Sequence, residues 1–218
     1  MIYVNIPYAN SSIPKNLGQV YNNFCENLPN DDDWACFLDH DAMFTTDNWY
    51  TQIEEIISKD DGSPRVYGAR TNRINSTFQL VGNIDIHNHD MRYHREIGKY
   101  LQGKHYYDKM LVKTGATLQK GFSGIMILIQ KSTWRKINGF IDGFNNVDNT
   151  LRYKLNEHNI PLYILNGMYI YHWYKANQPY DRCKEKFKVH YDCYIKNNQP
   201  FKYENIFLYN GTVDELPE

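Results

Sequence analysis

The chain of 218 residues is long enough for one well-packed domain with room for a short appendage. Its formal net charge of −1 argues against a protein whose main task is gripping nucleic acid, because that task favours a basic surface. No apolar run approaches the roughly 18 residues needed to span a bilayer, so no membrane span is expected.

Tyr3–Ile6 reads as a first strand, entered with no charged leader, so the expected location is the cytoplasm. Leu17, Val20, Tyr21, Phe24, Cys25 and Leu28 recur at helical spacing, which predicts a helix over 16–28 ended by Pro29 to Asp33. Trp34–Leu38 is a buried strand that runs into Asp39. Thr46 or Asp47 is expected to cap a helix through Ser58, with Trp49, Ile53, Ile56 and Ile57 on one face. After the turn at 60–64, Val66–Ala69 is the next strand.

Residues 70–120 are polar and weakly periodic, so they read as long loops with one short helix. Such a stretch suits a lid or an acceptor loop. Gly124–Ile129 is the most apolar strand, followed by a short helix over 131–137 closed by Asn138-Gly139. A further helix over 148–158 and two strands, Leu162–Leu165 and Met168–His172, complete the pattern. Strands alternating with helices predict an α/β domain with a mixed, mainly parallel sheet flanked by helices. The organisation expected is a catalytic domain over 1–174 and a C-terminal extension over 175–218, packed on it and able to serve as a lid.

Cys25, Cys36, Cys183 and Cys193 show no zinc-site spacing, and spacing alone leaves a Cys183–Cys193 disulfide open. The chemistry concentrates at Asp39-His40-Asp41. Two carboxylates at i and i+2, just past a buried strand, can converge on one divalent cation. Ligands of open α/β sheets gather at this end of the strands. Hard oxygen ligands suit Mg²⁺ or Mn²⁺ bridging the phosphates of a nucleotide diphosphate. A phosphoryl-transfer site of the haloacid-dehalogenase kind also places DxD after a strand, but its pattern asks for Thr or Val where Met43 stands.

Three blocks in order carry a resemblance. Asn16-Leu17-Gly18, a helix, and Trp34 to Asp41 form the first. Gly121-Phe122-Ser123-Gly124 with the strand after it, then Trp134 to Phe140, form the second, and Phe144 to Arg152 the third. Together they resemble the family 2 glycosyltransferases of GT-A fold across most of 16–172. The resemblance implies that Asp39 and Asp41 hold metal and diphosphate, and that Asp148 is the base that deprotonates the acceptor. It also implies His172 as a third metal ligand. Asn16, Gly18, Gly121, Ser123 and Gly124 would line the donor site, and Lys175 would reach the diphosphate, with Arg182 a further basic residue there.

The implied donor is a nucleotide-sugar, a UDP-sugar first among them, with Mn²⁺ or Mg²⁺. The implied acceptor is a glycan, a protein or a modified nucleobase. The chain departs from the family by having only 15 residues before Asn16, which shortens the base-binding floor, and by Val147 and Thr150 at two family acidic positions. Its brevity resembles virus- and phage-encoded members, which implies the host cytoplasm. Readings of another class are a silent GT-A-like module that holds a glycan or a partner, and a nucleotidyltransferase. The latter wants a Gly-rich phosphate loop where residues 8–18 offer only Gly18.

Overall fold

The computed structural model describes residues 1–7, 15–74, 76–112, 121–173 and 202–209. Its centre is a seven-stranded sheet built from β1 (Ile2–Asn5), β2 (Trp34–Leu38), β3 (Ala42–Phe44), β4 (Val66–Thr71), β6 (Lys109–Leu111), β7 (Met126–Gln130) and β8 (Leu162–His172). The strand order is β1-β2-β7-β4-β8-β3, with β6 also paired to β8. β5 (Val81–Gly82) pairs with β9 (Phe207–Leu208) in a separate two-stranded ladder.

The apolar run of β2 follows from burial on both faces. Ala35 and Phe37 join the core under α1 (Leu17–Glu26), α4 (Lys131–Lys136) and α5 (Val147–Glu157). Trp34, Cys36 and Leu38 join the opposite core with Ile53 and Ile56 of α2 (Trp49–Ser58). A fully buried side chain such as Leu155 or Ile53 contributes roughly 1.5–3 kcal/mol, so these two layers hold the sheet between helices. No described helix is long and apolar enough to cross a membrane.

The sheet is mixed, but it is not mainly parallel. Only β1–β2 and β4–β8 run parallel, while β2–β7, β4–β7, β3–β8 and β6–β8 are antiparallel. β7 enters between β2 and β4 after the long excursion through 72–120, which brings it in from the opposite end of the sheet. Apolar patterning carries no strand direction, so this reversal is invisible in it.

The described part of the excursion, through residue 112, also holds more regular structure than its polarity suggests. It holds α3 (Met91–His105), the longest helix described, and β5 and β6. The buried stripe of α3 is His94, Ile97, Gly98 and Leu101. Its spacing is helical, but His and Gly occupy two of the four apolar positions, which hides the period. His94 is tolerated in the core because Tyr169 Oη and the Asn88 carbonyl meet its two ring nitrogens at 2.8 and 2.7 Å.

Two smaller expectations also change. The helix after the first site begins at Asn48, which makes no side-chain cap bond. Thr46 is instead met by Gln102 and Asp47 is paired with Arg95, so neither side chain is left to cap. The last two expected strands are one strand, β8, whose register against β4 shifts between Ala69 and Arg70. Of the C-terminal stretch, residues 202–209 lie on the same body: Ile206 and Tyr209 are buried and β9 extends β5. Cys25 and Cys36 are free and buried, and Cys183 and Cys193 lie outside the described residues.

Candidate metal centre

β2 delivers Asp39 to the edge of the sheet, where its amide donates to the Ile125 carbonyl at 3.0 Å. The chain then turns tightly: the Ala42 amide returns to the Asp39 carbonyl at 3.1 Å. An i to i+3 bond of this kind brings the side chains at i and i+2 toward one side. Directly after the turn, β3 pairs with the end of β8, with Ala42 opposite His172 and the Trp173 amide on the Asp41 carbonyl at 2.8 Å. The ladder therefore places His172 beside the turn. One ligand atom from each of Asp39, Asp41 and His172 lies within 4.8 Å of the others.

The His172 ring has a defined orientation. Nδ1 is 2.9 Å from the Arg73 carbonyl oxygen, and Nε2 is 3.2 Å from Asp41 Oδ1. A carbonyl only accepts, so Nδ1 carries the proton and donates, which leaves Nε2 as the nitrogen facing the carboxylates. A hydrogen bond from Nδ1 to a carbonyl is the usual support of a metal-binding imidazole.

The electrostatics lean the same way. Burial pushes the Asp39 carboxyl up to about 6; the neighbouring His172 opposes this, and the Asp41 and Asp148 charges add to it. Burial also pushes Asp41 up, but the neighbouring His172, with His40, outweighs it and holds Asp41 below the ordinary carboxylate range. Asp148 is raised by burial, against the amides of Gly124 and Asn149. The Tyr21 phenol is raised by burial first and then by the Asp39 and Asp148 charges. Three acids crowd a half-buried edge where a cation would relieve their repulsion. Two carboxylates and a fixed imidazole could hold a divalent cation.

Asp148 stands in the first turn of α5. It is not the cap, a place taken by Asn146 in the left-handed region (φ 62°). Its two carboxylate oxygens accept from the Gly124 amide at 3.1 Å and the Asn149 amide at 2.8 Å. Gly124 thus touches the candidate base directly. Ser123 is held by its backbone, which exchanges two bonds with the buried side chain of Gln79 at 2.8 and 3.0 Å. Gly121 lies against the Asn149 side chain, where a Cβ would collide with Oδ1.

Asn16 and Gly18 serve packing in what is described. Asn16 Oδ1 caps α1 through the Gln19 amide and also accepts from the Gly143 amide, at 2.9 and 2.8 Å. A Cβ on Gly18 would overlap the Ile141 carbonyl. Trp134 and Phe140 are core residues. Lys175 and Arg182 lie outside the described residues. His87, His89 and His94 form no second metal cluster among the described residues; His89 Nδ1 is 2.7 Å from Tyr171 Oη.

Comparison with family models and with curated proteins returns no match for this sequence. The structure brings Asp39, Asp41, His172 and Asp148 to one edge of the sheet, together with Tyr21, Asn72 and Gln79, which no motif singled out. The polar pair Asn72-Arg73, directly after β4, carried the one signal that pointed there.

Proposed function

We propose that this chain is a metal-dependent glycosyltransferase of GT-A type, moving a sugar from a nucleoside-diphosphate sugar to an acceptor hydroxyl. The observation that carries this reading is the convergence of Asp39, Asp41 and His172, with the half-buried carboxylate of Asp148 held by Gly124 next to the Ile125 carbonyl that receives the Asp39 amide. Asp39, Asp41 and His172 would hold Mn²⁺ or Mg²⁺. When bound, the cation supplies Lewis-acid stabilisation of charge on the departing diphosphate.

Asp148 acts on the acceptor. Each of its oxygens keeps a lone pair beyond the one facing a backbone amide, so it can take a hydroxyl proton while staying in place. Burial raises its basicity, which suits a general base. The acceptor oxygen bonds to the anomeric carbon as the bond from that carbon to the diphosphate oxygen breaks, and the proton passes to Asp148.

The test is release of nucleotide from a panel of UDP-, GDP-, dTDP- and CMP-sugars, with and without Mn²⁺. Metal-dependent release of one nucleotide, lost in Asp39→Asn/Asp41→Asn, is the expected result. Absence of both turnover and metal-dependent nucleotide binding would sink the reading and favour the silent module.

A further inference from the structure

We propose that Asn72 is the positioning residue of the cation site, holding His172 so that Nε2 faces Asp39 and Asp41; this rests on the metal-site reading above. The parallel ladder between β4 and β8 ends with Thr71 opposite Ile170. Beyond it, the Asn72 side chain takes over the work of a strand neighbour. Its Oδ1 accepts the His172 amide at 2.8 Å and its Nδ2 donates to the His172 carbonyl at 3.2 Å. Thr71 Oγ1 donates to the same Oδ1 at 3.2 Å, so three contacts agree on which way the amide points.

Asn72 is fully buried. The carbonyl that fixes the imidazole belongs to the next residue, Arg73. Residues 72 and 73 therefore hold both the backbone and the ring of His172 on one side, while the β3 turn holds Trp173 and Asp41 together on the other. Removing the amide leaves a buried N–H and C=O at position 172 without these partners. The strand end can then shift, and with it the contact that keeps the proton on Nδ1.

An asparagine that closes a ladder can also serve stability alone, so the test needs a matched control. Asn22 provides one whose bonds go to Trp134 and Phe140 and to none of the acids: its Oδ1 accepts from Trp134 Nε1 and the Phe140 amide, and its Nδ2 donates to the Phe140 carbonyl. Mn²⁺ binding is read by the paramagnetic resonance signal of free Mn²⁺ for the parent chain, Asn72→Ala, Asn72→Asp and Asn22→Ala. The His172 tautomer is read in the metal-free proteins by imidazole ¹⁵N NMR.

Asn72→Ala is expected to weaken Mn²⁺ binding about ten- to a hundredfold, as losses behind a ligand do. Asn22→Ala is expected to stay within about twofold of the parent, since Asn22 shares no bonding partner with the three ligands. Asn72→Asp keeps the acceptor, loses the donor, and is expected to bind more weakly than the parent; it decides the matter if the alanine variant does not fold. Parent-like binding by the Asn72 variants, or an equal loss in Asn22→Ala, overturns the proposal. If the parent takes up no Mn²⁺, the metal-site reading fails by itself. The NMR then still decides the positioning role: an Nδ1–H tautomer that weakens in the Asn72 variants supports it, and an unchanged ring overturns it.

Discussion

His172 Nε2 and Asp41 Oδ1 lie 3.2 Å apart although 131 positions separate them in the chain. The antiparallel pairing of β3 with β8 makes that contact, since Ala42 sits opposite His172 and the turn before Ala42 carries the acids. The pair defines a mixed nitrogen and oxygen donor set rather than a purely acidic one. Mn²⁺ should therefore bind more tightly than Mg²⁺, which prefers oxygen ligands. His172→Asp should narrow that preference, and His172→Ala should weaken Mn²⁺ about tenfold or more, or roughly 1.4 kcal/mol. Isothermal titration of both cations checks it; equal Mn²⁺ affinity in parent and His172→Ala would remove His172 from the site.

Asp39 ties stability to pH. Its folded value of about 6 stands above its ordinary value of 3.8, chiefly through burial. A raised carboxyl contributes stability below the unfolded value, and that contribution disappears as pH rises through the folded one. Asp148, also raised, works in the same direction. Asp41, held low, keeps its own contribution until the pH falls below the ordinary carboxylate range. At pH 7.5 the metal-free chain should thus carry a penalty from ionised Asp39, on the order of 3 kcal/mol. Asp39→Asn should raise the metal-free Tm at pH 7.5 and leave it nearly unchanged near pH 4. It should also abolish any rise in Tm on adding Mn²⁺.

Asp148→Asn separates transfer from binding. The substitution removes the proposed base and should lower sugar transfer by roughly 10²- to 10⁴-fold, while Mn²⁺ affinity stays near that of the parent. It should also lower Tm, because both carboxylate oxygens accept backbone amides and the new NH₂ group must face one of them. Parallel assays of transfer and Mn²⁺ binding distinguish this from general damage, in which both would fall together.

The parts of this molecule that can be read in its sequence are those where burial writes a pattern. Trp34–Leu38 is apolar throughout because both faces of β2 are covered, and Asp39 follows at once, so strand and acids were legible together. α3 was not, because His94 and Gly98 fill core positions through specific contacts: two hydrogen bonds for the histidine, and a close approach to Thr45 for the glycine. The reversal of β7 was not legible because direction has no apolar signature. His172 was reached through resemblance, whereas Asn72 was not, since a side chain that imitates a backbone neighbour shows itself only when both strands are in place.

Arg70 shows why residues 202–209 belong to the body of the protein. Its guanidinium is fully buried, and burial alone draws its pKa down. An arginine keeps its charge in such a place only if acceptors surround it. Here they are Asn166 Oδ1 at 2.6 Å and the carbonyls of Phe78 and Tyr209, each at 2.7 Å. Ending the chain at residue 201 would remove the Tyr209 acceptor, strip β9 from β5 and uncover the core that Ile206 and Tyr209 close. Loss of one bond to a buried charge costs about 1.5–3 kcal/mol before any apolar term. The truncated chain should therefore lose at least that much stability in urea unfolding. Arg70→Met combined with the truncation should lose less than the truncation alone, because no buried charge is then left short of an acceptor. A truncated chain as stable as the parent would instead make 202–209 a dispensable appendage.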